Sequence, residues 1–304
     1  MRLVIVSNRL PFTAAFKDGA PEFKPSAGGL TTGLWSYLNR KTPDGTEHPD
    51  FLWMGWPGAG VPTEQEATVR TYAEQQFKSS PVFLPEESMD RFYLGFYNKT
   101  LWPLFHYFPT LTHYEEENWQ EYRHVNQVFG EAVASALRPD DVLWIHDYHL
   151  MLLPKLVREK FPEMPIGFFL HIPFPSWEIF RMLPRPWREE IIDGLLGSSL
   201  LGFHTHDYVR YFLTSVLRTA GYEHHLGSLT LRDRVVKVGP VAAPVALIAG
   251  GGMTFFSSDV IFDARKAGVC RESRNQIKAH DICFDNHIAF DADCLDGACR
   301  LAAD

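Results

Sequence analysis

The sequence changes character at Gly239. All 8 tryptophans precede it, and the four cysteines, Cys270, Cys283, Cys294 and Cys299, all follow it. Before it, short apolar runs alternate with helical periodicity and Pro/Gly punctuation. After it comes a bland run, Val241 to Gly252, and no clear period returns. One evolved domain rarely shifts composition so abruptly. The expected organisation is a catalytic-type domain at 1–239 and an unrelated, irregular or disordered tail at 240–304.

Within 1–239 the punctuation reads as alternating strand and helix. Leu3–Val6 is a continuous, mostly β-branched apolar run, as in a parallel strand buried on both faces. A long loop with Pro11, Gly19, Pro21 and Pro25 is expected next, then a helix over 30–38. Strands are expected at 51–56, 141–145, 166–170 and 200–203. Helices are expected at 119–137, 150–160, 187–196 and 207–219. Such alternation implies an α/β fold, a doubly wound parallel sheet.

Bulk properties exclude several classes. The net charge of −8 argues against general nucleic-acid binding, which needs a basic face. No apolar run reaches the length of a membrane span. A 239-residue stretch free of cysteine suits a cytoplasmic protein. The tail cysteines match no zinc or CxxC spacing.

In a doubly wound sheet, ligands bind outside the carboxyl ends of the strands. Polar groups stand at four such ends: Ser7-Asn8-Arg9, His146-Asp147-Tyr148-His149, His171, and His204-Thr205-His206. Arg9 suits a phosphate held in bidentate fashion, or a surface ion pair. Gly28 and Gly29 precede a helix N-terminus, where bare N–H groups can take phosphate oxygens; a plain turn fits the pair as well. Asp147 suits sugar hydroxyls better than a metal, since no further ligand pattern completes a site. His171 is either a satisfied core histidine or a ligand-facing one. The aromatic stretch Tyr93–Tyr107 suits sugar rings, but also a hydrophobic core. GxGxxG, GxxxxGK[ST] and GxSxG motifs are absent, which counts against a dinucleotide-dependent oxidoreductase, a P-loop enzyme and a serine hydrolase.

Eight ordered stretches resemble the trehalose-6-phosphate synthases of glycosyltransferase family 20. They are Val6-Ser-Asn-Arg-Leu-Pro11, Ser26-Ala-Gly-Gly-Leu30, Trp53-Met-Gly-Trp-Pro57, Leu101-Trp-Pro-Leu-Phe-His-Tyr107, Trp144-Ile-His-Asp-Tyr-His149, Phe168-Phe-Leu-His-Ile-Pro-Phe-Pro175, Glu178-Ile-Phe180 and Leu201-Gly-Phe203. The resemblance implies a GT-B fold, of which this is the Rossmann-like N-terminal half. It implies retaining transfer of glucose from UDP-glucose to glucose-6-phosphate, with UDP-glucose a co-substrate and no metal or other cofactor. By motif, Arg9 would hold the acceptor phosphate, with Tyr93 and Trp102 nearby. Trp53 would line the acceptor pocket, and Asp147 would bind acceptor hydroxyls. Gly28 and Gly29 would meet the donor phosphate, and His171 would assist the donor sugar and the transition state.

The resemblance stops where Val235–Gly239 begins a strand. Nothing in 240–304 matches the donor-side Arg, Lys and acidic residues that the family implies, so a shifted reading frame or truncation is expected, and no turnover by this chain alone. An exposed interdomain face would favour homo-oligomers or a complex with a full-length synthase. Two alternatives stay open: a non-catalytic sugar-phosphate-binding or regulatory subunit, and a same-family synthase using another phosphorylated acceptor such as glycerol-3-phosphate.

Overall fold

The β-branched run at the N-terminus forms β1 (Leu3–Arg9), the strand on which the sheet is organised. The computed structural model describes residues 2–17, 20–26, 29–39, 50–85, 88, 90–240, 247–249 and 252–254. β2 (Phe12–Lys17) and β3 (Ala20–Pro25) form a hairpin, followed by β4 (Phe51–Trp56) and β5 (Ser79–Pro81). The remaining strands are β6 (Val142–His146), β7 (Ile166–Phe169), β8 (Leu200–Phe203), β9 (His224–His225), β10 (Ser228–Thr230) and β11 (Val235–Pro240). The main sheet runs β5-β4-β1-β6-β7-β8-β11-β10-β9. All pairings from β5 to β11 are parallel; β10 and β9 add antiparallel at the edge. The doubly wound parallel sheet is therefore observed.

Helices cover both faces. α1 (Gly29–Leu38), α2 (Glu66–Phe77) and the β2–β3 hairpin cover Leu3 and Ile5 of β1. Against Val4 and Val6 on the other face lies the larger core. It includes a π-helix (Asp90–Leu101), α3 (Trp102–Phe105), α4 (Glu116–Ala136), α5 (Leu153–Lys160), α6 (Trp177–Phe180), α7 (Arg185–Leu195) and α8 (His206–Ala220). In α4, Trp119, Tyr122, Val125, Phe129 and Val133 recur at three- and four-residue steps and are buried, while Glu116 and Glu117 sit favourably at the positive N-terminus. The start of β1 is pinned to the start of β6 by Arg2. Its guanidinium grips the buried Asp141 carboxylate at 2.7 and 3.1 Å and donates to the Ala136 carbonyl. That bidentate contact helps fix the β1–β6 register, Leu3 opposite Val142.

Four segments depart from expectation. The proline-bearing loop after β1 is the hairpin, with Phe12 opposite Pro25 and Lys17 opposite Ala20. Prolines are tolerated there because the pair stands outside the main sheet and needs few ladder donors. Neither α2 nor the π-helix was legible as a helix. In the tail, Leu247–Ala249 pairs antiparallel with Gly252–Thr254, a short regular element where none was expected. The rest of 241–304 lies outside the described residues.

Candidate active site

The chain runs from β1 outward to β4 and β5, then returns to β6 on the other side of β1. The strand order thus reverses between β1 and β6, and their carboxyl ends form the switch point, where open α/β sheets place their ligand crevice. Arg9 ends β1, and His146 ends β6 with Asp147 next.

Arg9 is held by aromatic faces. Its guanidinium carbon lies 5.0 Å from the centre of the Tyr93 ring and 5.5 Å from that of Trp56. No carboxylate lies within 4.0 Å of it among the described residues, and its buried Nε has no partner there. The surface ion pair that the sequence left open is therefore not seen. A cation fixed by π faces and unpaired by an acid keeps its hydrogen bonds for an anion. Beneath it, Ser7 Oγ donates to the Arg9 carbonyl at 2.7 Å and receives the Trp53 indole N–H at 2.8 Å.

A ladder of stacked rings leads from Arg9 to Asp147. Tyr93 stacks on Tyr97 at 4.7 Å, and Tyr97 stacks on Tyr148 at 4.6 Å and packs at a tilt against His149 at 4.0 Å. His149 Nδ1 is 3.8 Å from Asp147 Oδ2. The π-helix supplies Tyr93 and Tyr97, and such helices recur at functional sites.

The turn after β6 is strained and clamped. Asp147 has φ 74° and ψ 165°, a region nearly restricted to glycine and costing about 1–3 kcal/mol. Buried Tyr122 donates to the Tyr148 carbonyl and accepts the Met151 N–H. Asn126 donates to the Tyr122 and His149 carbonyls and accepts the Leu152 N–H. Asp147 Oδ1 accepts the backbone N–H groups of Tyr148 and His171. Burial pushes its carboxyl up to about 7, against the pull of those two bonds.

Three histidines surround this turn, all with depressed basicity. Burial pushes His146 down to about 3. Burial pushes His149 well below the usual imidazole value, aided by the Arg9 charge. Burial does the same to His171, aided by His146, His204 and His149. These imidazoles are neutral at pH 7. Among the described residues, Asn8 Oδ1, Arg9 Nε, His146 Nε2 and both ring nitrogens of His149 are buried without a hydrogen-bond partner. Buried polar atoms are normally satisfied, and these orphans gather at the carboxyl ends of β1 and β6.

The site differs from expectation at one aromatic residue. Trp53 does not line the crevice: it is 0% exposed, packed with Ile5 and Trp144 in the smaller core, and acts through Ser7. Trp56, three residues on, has the face beside Arg9, because side chains three apart on a strand point to opposite faces. The ring of Trp102 stacks on His106 and Phe108. Gly29 is the first residue of α1; Gly28 lies outside the described residues. The Ser26 N–H donates to the Pro11 carbonyl, which brings the approach to α1 to the Arg9 end of β1. Trp56 and Tyr97 were not singled out in the sequence, and His146 and His149 were placed at a strand end by position but given no role of their own. Among the described residues no group of three or more His, Cys, Asp or Glu could hold a metal ion, and no helix is long and apolar enough to cross a membrane.

An arginine without a carboxylate partner among the described residues, a strained aspartate and neutral histidines thus meet at the switch point of a doubly wound sheet. Residues 1–248 match glycosyltransferase family 20, and the chain belongs to that family. It is 46% identical over 242 residues to a bifunctional trehalose-6-phosphate synthase/phosphatase of Thermoproteus tenax, covering 79% of this chain and 32% of that protein. It is 42% identical over 251 residues to the UDP-forming α,α-trehalose-phosphate synthase of Emericella nidulans, covering 81% of this chain and 47% of that one. The crystal structure of the UDP-forming α,α-trehalose-phosphate synthase from Burkholderia xenovorans, in complex with glucose-6-phosphate, aligns with a TM-score of 0.64 at 29% identity. That alignment covers 90% of this chain and 54% of the other. The chain thus spans about half or less of the length of these relatives.

Proposed function

We propose that the whole protein transfers glucose from UDP-glucose to glucose-6-phosphate with retention, giving trehalose-6-phosphate and UDP. The described residues would form its acceptor side. One observation carries this reading: the contiguous array Arg9–Tyr93–Tyr97–His149–Asp147 joins the carboxyl ends of β1 and β6, with a cation at one end and a carboxyl group at the other. Its two ends suit a phosphate and a set of hydroxyls. The names of the relatives, UDP-forming trehalose-phosphate synthases, support the same substrates.

In this reading Arg9 grips the 6-phosphate in bidentate fashion while Trp56 and Tyr93 hold the guanidinium still. Asp147 Oδ2 accepts from acceptor hydroxyls, and Oδ1 stays committed to the backbone. His171 reaches the donor sugar, and the N-terminus of α1 at Gly29 favours a donor phosphate. The acceptor hydroxyl attacks the anomeric carbon on the face the leaving diphosphate departs from. A leaving phosphate oxygen takes the hydroxyl proton as the new glycosidic bond forms and the old one breaks. Positioning and preorganised charge lower the barrier, so the glycosidase pair of carboxylates is not required.

The test is UDP release from UDP-glucose by the complete gene product, with glucose-6-phosphate and glycerol-3-phosphate as competing acceptors. Faster release with glucose-6-phosphate, accompanied by trehalose-6-phosphate, is the expected result. Release that favours glycerol-3-phosphate, or ignores both, would overturn the reading.

A further inference from the structure

His146 touches no ligand in the proposed reaction, yet it sits fully buried behind the one histidine that does. Its Nδ1 lies 3.0 Å from His171 Nε2, a hydrogen bond between two imidazole rings. Burial keeps both rings neutral at pH 7, so a single proton lies between these two nitrogens. Whichever ring owns it fixes the tautomer of both.

Two arrangements exist. In one, His171 Nε2–H donates to His146 Nδ1, and His146 must then carry its own proton on Nε2. That nitrogen is buried and has no partner among the described residues. In the other, His146 Nδ1–H donates to His171 Nε2, and the orphan at His146 Nε2 is only a lone pair. Buried N–H groups without acceptors are rarer than under-used acceptors. The second arrangement wins on that ground. It forces the proton of neutral His171 onto its Nδ1, which has no protein partner among the described residues and is not sealed from solvent, since it is absent from the buried orphans. The backbone of His171 is held independently: its N–H donates to Asp147 Oδ1, and His204 Nε2–H donates to its carbonyl.

We propose that His146 is a positioning residue that sets the tautomer of His171, so that His171 offers an Nδ1–H donor to the crevice. A donor suits a sugar hydroxyl oxygen or a phosphate oxygen carrying developing charge. What the donor acts on rests on the glucosyl-transfer reading; which nitrogen carries the proton does not.

The experiment is long-range ¹H–¹⁵N correlation of the ¹⁵N-histidine-labelled chain at pH 7, without sugar or nucleotide, assigned with His171→Gln. We expect His171 Nδ1 to be the protonated, pyrrole-type nitrogen and Nε2 the pyridine-type one, by at least about tenfold in population. His146→Asn keeps an N–H near the Nδ1 position and should preserve that pattern. His146→Phe removes the donor and should shift His171 toward the Nε2–H form. A wild-type His171 protonated on Nε2, or evenly mixed, overturns the proposal. An unchanged His171 pattern in folded His146→Phe overturns the positioning role. Should His146→Phe fail to fold, the wild-type spectrum and His146→Asn still decide. Because no substrate is present, failure here and failure of the glucosyl-transfer reading are told apart.

Discussion

Asp147 Oδ1 accepts the backbone N–H of His171 at 3.2 Å, joining the carboxyl ends of β6 and β7 through one carboxylate oxygen. The same oxygen holds the Tyr148 N–H at 3.0 Å, and Oδ2 points toward His149 at 3.8 Å. Oδ1 is thus committed to the backbone, and in the proposed reaction Oδ2 faces the acceptor.

That division makes Asp147→Asn a clean variant, since the amide oxygen can still accept both N–H groups. In the wild type, burial raises the folded carboxyl from 3.8 to about 7. The folded state therefore keeps a proton that the unfolded chain releases between those values. The stability from this group is full below pH 4 and is lost as pH rises to about 7. Relative to Asp147→Asn, the wild type should lose up to ~4 kcal/mol between pH 4 and 7. Urea titrations of both proteins across that range check this; a constant difference contradicts it. The depressed histidines act in the opposite direction as pH falls below 6.5, so only the difference between the two proteins isolates Asp147.

Arg9→Lys keeps the charge but loses the planar fork and its stacking between Tyr93 and Trp56. Glucose-6-phosphate affinity should fall roughly ten- to a hundredfold, the worth of a charge-assisted pair of hydrogen bonds. Thermal stability should barely move. Calorimetric titration alongside a melting curve reads both.

The two tryptophans of β4 should separate. Trp53→Phe removes the N–H that holds Ser7 and leaves a void in a closed core, so stability should drop by about 1–3 kcal/mol while affinity stays within twofold. Trp56→Leu removes a π face beside Arg9, so affinity should fall about two- to fivefold. The reverse pattern would return the pocket-lining role to Trp53.

Gly55 lets β4 approach the end of β1. A Cβ there would lie 2.8 Å from the Ser7 carbonyl oxygen and 3.1 Å from the Arg9 carbonyl carbon, both backbone. Gly55→Ala should destabilise the fold by about 1–3 kcal/mol and weaken phosphate binding by displacing Arg9. Gly33→Ala, in α1 with nothing within 4 Å of its Cβ, should instead add about 0.5–1 kcal/mol. Equal effects at the two positions would contradict the close-approach reading.

The parallel strands were legible because each is an apolar run stopped by a polar group. Phe51–Trp56 and Leu200–Phe203 fall where the sequence places them. The same continuous burial hid which tryptophan faces the crevice, since an apolar strand buried on both sides carries no inside–outside alternation. The β2–β3 hairpin was hidden by Pro21 and Pro25, which read as breakers until Phe12 is seen packed on Phe77 and Tyr72. The π-helix was hidden because its residues do not repeat at 3.6. Yet it delivers Tyr93 and Tyr97, the rungs between Arg9 and Asp147. Site residues at strand ends were found by position; Tyr97 could be found only through packing.

The measurement that bears most directly on the crevice is calorimetric titration of this chain with glucose-6-phosphate at pH 7. Glucose and inorganic phosphate serve as separate partial ligands, and Arg9→Ala and Asp147→Asn as variants. We expect one saturable site for the sugar phosphate, weaker binding of either partial ligand, and loss of phosphate affinity in Arg9→Ala with the fold intact. Absence of binding to the folded wild type, or binding unchanged in Arg9→Ala, would contradict a sugar-phosphate site at the β1–β6 switch point.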